Sequence, residues 1–434
     1  MKLRRVAVFS LAAVFLVTGM WISGGDALAA RRETRCEKEW TATFGSLKDL
    51  QKKYPKRERN ETAKKLEELT RGSVFDLTPA LRTLADTVRL PVPPAEEKKT
   101  QAIFDYVLAE ITKERAGLDA PPPDVAQFSE ETRTRLDDIE STLTASPAPV
   151  WPLELSLEES ESARLNFIGH MRLQRILMAR ALAAAQAGRD DVAARSLEAS
   201  WNLNESLRSR PETTSLIIAM AVARLEAGVL RKMNVEDRLW SPRVAGMDFR
   251  PALLEALVLD SRVSRSKMGW RSAWTSGKGS PWYQRARDFI AGPMNRVAMV
   301  EYSTLMREEL VHLRGAPLLD QFPLASTPRV LDPAHIISAI SMPNIQNSFL
   351  RAARLFVDAE LTGKIIEAMR LRRENGMRWP ASIPGIGTSR FPGASWRYEV
   401  SPDGRRMSIA FSRELTSPYG PGGLKPLPLR FASD

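Results

Sequence analysis

From Ser215 to Leu230 the chain reads as a helix that is apolar almost all the way round. A helix with no polar face has to be enclosed. It extends for about 24 Å, short of the roughly 30 Å hydrocarbon layer of a bilayer, and Arg224 interrupts it. It is therefore expected to be the buried centre of a helical body. Two helices precede it within Glu161–Asn234. In the first, Leu165, Ile168, Leu173, Ile176, Leu177, Ala181 and Ala184 trace one face, and Gly188 stands where a helix-ending glycine belongs. Asp190 or Asp191 opens the second, which carries Ala193, Leu197, Trp201 and Asn204. Pro211 sits at the first position of the third. Short turns make the three antiparallel neighbours. A repeat period of 34 residues is absent, since Trp201 has no counterpart one repeat earlier.

The flanking regions are helical too. Trp40, Phe44, Leu47 and Leu50 give helical spacing over Glu37–Tyr54, and Asn60 can cap a helix running to Leu69. Asp76-Leu-Thr-Pro79 reads as another helix start, followed by an amphipathic helix over Lys98–Lys113. Pro121–Pro123 forms a stiff linker, Asp124–Leu143 a charged helix, and Ser146–Pro149 a second break. Further on, Tyr283–Arg314 reads as one helix and Asn344–Glu374 as the longest. Asn375-Gly376 stops the latter. Trp396, Tyr398 and Val400 alternate, as do Met407, Ile409 and Phe411, around Ser401-Pro-Asp-Gly404. That is a β-hairpin, expected to pack on the long helix because a lone hairpin is marginal in water. The fold class is mainly α: a multi-helix antiparallel bundle or array with a small C-terminal α+β hairpin unit. The expected organisation is a signal segment at 1–29, an N-terminal helical region at 30–152, a central helical domain at 153–333, the long helix and hairpin at 334–416, and an irregular tail at 417–434.

Lys2, Arg4 and Arg5 precede a nearly continuous apolar run, Val6–Ile22, broken by Gly24-Gly25 and followed by Ala27-Leu-Ala29. This is the pattern of a secretory signal with a small-x-small cleavage site before Ala30. The expected location is exported, in the periplasm of a two-membrane host. Retention of residues 6–22 as an inner-membrane anchor is the alternative. Formal charge is +11, of which the first 29 residues carry +2, leaving +9 on the exported part. Excess base points to anionic partners; after export, a lipid headgroup or glycan fits better than nucleic acid, and a protein partner stays open. Cys36 is the only cysteine, which excludes an intramolecular disulfide and a thiolate metal cluster.

The basic, aromatic segment Arg262–Arg287 is the candidate binding surface. Arg262, Arg265, Lys267, Arg271 and Lys278 lie among Trp270, Trp274 and Trp282, with no acid between Arg262 and Arg287. Arginine with tryptophan suits headgroups or envelope sugars. Chemical motifs are sparse. The histidines are His170, His312 and His335. Glu309-x-x-His312 has di-iron spacing but no second copy. No His-Glu-x-x-His, Gly-x-Ser-x-Gly or phosphate-binding glycine loop occurs. No cofactor or metal is expected, and no residue is assigned a catalytic role. A carboxylate pair for polymer hydrolysis remains the enzyme alternative, since spatial separation is invisible in sequence.

The segment Arg373-Glu-Asn-Gly376-Met-Arg-Trp379-Pro380-Ala-Ser382, after a long helix and before a hairpin, resembles the helix/His-Gly-x-Tyr-Pro-x-Ser-Leu region of type II secretion pseudopilins. It also resembles large uncharacterised exported helical proteins of bacteria, as do Arg180-Ala-Leu, Gly188-Arg-Asp-Asp and Arg210-Pro-Glu-Thr. Asn375, Trp379 and Ile383 replace the His, Tyr and Leu of the pattern. The apolar run at Val6–Ile22 lacks the Gly-Phe processing site and early Glu of a pseudopilin. The resemblance implies no reaction. The expected function is an exported, non-enzymatic envelope binding or scaffold protein; the alternatives are a hydrolase of an envelope polymer and a pseudopilin-like secretion component.

Overall fold

The structure is a computed structural model that describes residues 24–25, 27–79, 94–153, 165–235, 237–268, 282–315, 336–415 and 426–433. The helices are α1 (27–44), α2 (Leu47–Lys53), α3 (Glu61–Thr70), α4 (Pro94–Ile111), α5 (Pro123–Glu131), α6 (Arg133–Ala145), α7 (Phe167–Gln186), α8 (Asp190–Arg208), α9 (Thr213–Leu230), α10 (Asp237–Ala245), α11 (Arg250–Met268), α12 (Trp282–Gly315) and α13 (Ile336–Glu374). One antiparallel sheet follows, β1 (Trp396–Val400), β2 (Met407–Phe411) and β3 (Arg430–Ser433), in the order β1-β2-β3. The fold is mainly α with a small C-terminal sheet.

α9 is the centre of the body, as its all-round apolarity requires. It packs against α4, α7, α8, α11 and α13. Among the described residues it is the one helix long and apolar enough to cross a membrane, and most of it is enclosed by protein. Gly228 lets it come close to its neighbours: a Cβ there would stand 2.7 Å from Ile111 Cβ and 3.0 Å from Leu427 Cδ2. α7 is capped by Asn166, whose Oδ1 accepts from Gly169 N at 3.1 Å and whose Nδ2 donates to Asp76 O at 2.7 Å. Gly169 meets that same carbonyl; a Cβ would lie 1.9 Å from it. Gly188, at φ +71°, ends α7 in the left-handed conformation that glycine adopts without a Cβ penalty.

Several boundaries differ from the sequence expectation. The helix read over Glu37–Tyr54 is two: Gly45 turns at φ +86° and Ser46 caps α2 by accepting from Asp49 N. The charged helix of 124–143 is also two, divided at Thr132. Pro123 belongs to the first turn of α5, where its missing N–H costs nothing. α9 begins after Glu212, so Pro211 lies outside it. The helix expected after Pro79 lies outside the described residues. Asn60 does cap α3, and it does more: Oδ1 accepts from both Ala63 N and Val150 N, and Nδ2 donates to Ala148 O. One side chain thus fastens the proline-rich break to the helix it caps.

A continuous apolar core runs from Cys36 and Trp40 of α1 through α9 to Ile366 of α13. A second, smaller core lies between α13 and the sheet. There Ala353, Val357, Leu361 and Ile365 meet Trp379, Phe391, Trp396, Ile409 and Phe431. The hairpin pairs Trp396 with Phe411 and Val400 with Met407, and Gly404 turns it at φ +67°. The tail is not irregular throughout. β3 pairs with β2, Ile409 opposite Phe431, and its far edge exchanges hydrogen bonds with the 114–116 turn. Leu427, just before it, is fully buried in the larger core. The tail therefore ties the two cores together, and its Pro- and Gly-rich composition concealed this.

Candidate functional site

Ion pairs inside the helical body have a structural task. Arg231, at the end of α9, donates from Nε to Thr362 Oγ1 (2.9 Å), from Nη1 to Pro428 O (2.8 Å) and from Nη2 to Asp358 O (2.7 Å). Lys232 donates to the carbonyls of Lys113 and Arg115, and Arg354 to that of Leu427. Most of these cations close off main-chain acceptors of turns and of the C-terminal tail, as the burial of such groups requires, while Asp358 O, inside α13, also accepts from Thr362 Oγ1. Burial pulls the pKa of Arg231 down to about 10 and that of Lys232 to about 8. Glu226 of α9 is also sealed in, accepting from Ser200 Oγ (3.0 Å) and Asn204 Nδ2 (3.2 Å) of α8. Burial pushes its pKa up to about 7. His170 packs edge-on against Trp151 at 4.9 Å, and burial holds its pKa down to about 3, so the ring is neutral. None of these groups reaches solvent.

The groove between the α5–α6 pair and the α7–α8 pair has about 490 Å³ of space and carries charges that face solvent. It is lined by the apolar Pro121, Ala126, Ala183, Ala187 and Val192 and by Arg133, Arg180, Arg189 and Arg195 with Glu130 and Asp137. Arg180 is fixed from three sides: Nε lies 3.1 Å from Glu140 Oε1, Nη2 binds Asp137, and Nη1 donates to Arg133 O at 3.3 Å. Glu140 stands behind the wall, wholly buried, with Ser196 Oγ donating to it at 2.6 Å. Burial raises its pKa, and the Ser196 hydrogen bond and the charges of Arg180 and Arg195 oppose that rise. Arg133 is paired with Glu130. Arg195 is held loosely, its nitrogens 3.8 Å from Glu140 Oε2 and 3.8 Å from Asp191 Oδ2.

A second cleft, about 480 Å³, lies between α1 and α12. Glu39 is bound there by Arg35 and Arg307, and the Arg35 hydrogen bond is the main cause that lowers its pKa. Cys36 is buried beside Thr304. At the upper end of this interface Arg296 makes a two-pronged contact with Glu33, at 2.7 and 2.6 Å. Arg32 approaches Glu301 at 3.5 Å. The cleft is an ion-paired seam between two helices.

Of the residues that the sequence singled out for binding, Arg262 is interior. Its Nη2 lies 2.9 Å from Glu37 Oε1 and its guanidinium stands 5.9 Å over the Trp40 ring. It anchors α11 to α1 and is not part of a solvent-facing surface, because its partners are long-range residues that a local pattern does not reveal. Arg265 and Lys267 lie on the last turns of α11, and Trp282 is the first residue of α12. Trp270, Arg271, Trp274 and Lys278 lie outside the described residues. Glu309 accepts from Gln346 at 3.0 Å. Among the described residues no group of three His, Cys, Asp or Glu side chains could hold a metal ion. His335 is outside them. Sequence reasoning missed the groove. Its arginines come from two helical pairs some fifty residues apart, and only the packing of α5–α6 on α7–α8 gathers them. No protein-family model, characterised protein or solved structure matches the chain.

Proposed function

We propose that this chain is an exported, non-enzymatic binding or scaffold protein of the bacterial envelope. The observation that carries the reading is the arginine-lined groove, in which carboxylates serve to aim guanidinium groups. Asp137 and Glu130 are each bound by an arginine. Glu140, the one nearby carboxyl with a raised pKa, is sealed behind Arg180 and Ser196. A general acid or base must reach its substrate's proton, and a wholly buried, ion-paired Glu140 does not. Rigidly presented arginines are instead suited to recognising anions. The charged, then apolar, then Ala-x-Ala N-terminus supports export, and a net +9 on the exported part supports an anionic partner.

The test is fractionation and add-back. Protein made in a Gram-negative host is expected outside the cytoplasm. The purified exported form is expected to co-sediment with washed envelopes at low salt and to be released at about 0.5 M salt, where surface charges are screened within a few ångströms. Cytoplasmic retention, or no sedimentation at any salt, refutes the reading.

A further inference from the structure

We infer that the groove between α5–α6 and α7–α8 is a binding site for a small ligand bearing a phosphate, gripped by Arg189 and Arg195. The inference rests on the envelope-binding reading and assigns it a site. Two features converge. Arg195 stands beyond hydrogen-bond distance of both its acidic neighbours, so its N–H groups remain available to a ligand. Arg189 lines the groove, is exposed, and makes no ion pair among the described residues. Asp190 and Asp191, in the first turn of α8, do not line the groove.

The remaining residues set ligand size and orientation. Arg180 is held by Glu140 and Asp137 and gives the groove a fixed edge. Gln186 adds an amide to the lining, and Ala183, Ala187 and Val192 add apolar surface. A space of about 490 Å³ fits a sugar-sized or dipeptide-sized molecule. A phosphate matches this chemistry from two sources, a soluble anion or a lipid headgroup.

The experiment titrates the exported full chain with pyrophosphate, with glycerol phosphate, and with phosphatidylglycerol vesicles against phosphatidylcholine vesicles. Arg189→Glu/Arg195→Glu is compared with Arg189→Lys/Arg195→Lys. Arg195→Glu sets a like charge beside Glu140 and Asp191, so Arg189→Glu alone is measured as well, and circular dichroism confirms that each variant is folded. The expected result is saturable binding that falls at least tenfold in the glutamate variant and is partly kept in the lysine variant. Loss of binding to the soluble phosphates supports a soluble ligand; loss restricted to the vesicles supports a headgroup. Binding that the glutamate variant leaves unchanged, or no binding of any probe at millimolar concentration, overturns the inference. If that variant still co-sediments with envelopes like the parent, the groove assignment falls and the envelope-binding reading survives.

Discussion

Replacing Glu226 by glutamine should make the protein more stable at alkaline pH and flatten its pH dependence. The carboxyl is fully enclosed between α8 and α9, and burial raises its pKa from 4.5 to about 7. The folded state thus keeps its proton to a higher pH than the unfolded chain does. As pH rises above 4.5 the unfolded state releases the proton first, and stability declines until the folded form also ionises near pH 7. At 1.36 kcal/mol per pKa unit the full penalty above pH 7 is about 3 kcal/mol. Between pH 5 and pH 8 it amounts to about 2–3 kcal/mol, since the unfolded glutamate is already largely ionised at pH 5. Glutamine preserves the shape and an acceptor for Asn204, and Ser200 can turn its hydroxyl to suit. Urea unfolding of both proteins at pH 5, 6, 7 and 8 measures the difference. The glutamine variant should gain on the parent steadily across that range. Parallel profiles, or a variant that is less stable by the same amount at every pH, would refute a neutral, buried Glu226.

Three further outcomes follow from the packing. Gly169→Ala places a methyl carbon 1.9 Å from Asp76 O, so α7 or the Asp76 turn must shift. A loss of about 1–3 kcal/mol in chemical unfolding is expected, against under about 0.5 kcal/mol for an exposed control such as Gly117→Ala. Leu427→Ala empties a fully buried site between the cores and should cost about 2–5 kcal/mol, with proteolysis of the C-terminal sheet rising in parallel. Arg231→Met strands the Pro428 carbonyl and takes from Asp358 one of its two arginines, Arg354 being the other; the lost buried hydrogen bonds should cost about 1–3 kcal/mol by urea unfolding.

Much of the architecture is legible locally. Asn60 as a cap, Gly188 and Asn375-Gly376 as stops, and the Trp396–Phe411 hairpin all follow from side-chain rules over a few residues. Boundaries shift where two local options compete. Gly45-Ser46 divides a helix because a left-handed glycine followed by a capping serine is as good a helix end and start as continuation. The tail is a harder case. Leu427 and Phe431 look like residues of a loose Pro-rich end, and they join the cores where distant Arg354 and Arg231 donate to the Leu427 and Pro428 carbonyls and β3 pairs with β2. The basic stretch after Arg262 shows the same effect in reverse. One of its cations is drawn inside by Glu37, which lies over two hundred residues earlier.

What the sequence determined by itself is the existence and enclosure of α9. A helix apolar on every face has no solvent-tolerant side, so any folded form must surround it. Helix caps, the hairpin and the export-like start are equally local, each set by interactions within a turn or two. What only the tertiary structure decided is the fate of the charges. Whether an arginine is a clasp, a wall or an open donor depends on which carbonyl or carboxylate arrives beside it. Arg231 became a clasp, Arg262 an anchor and Arg195 an open donor, although all three are arginines on helices. The physical reason is range: apolar burial is settled by composition along one helix, whereas pairing a buried charge requires a partner that only the complete fold brings near.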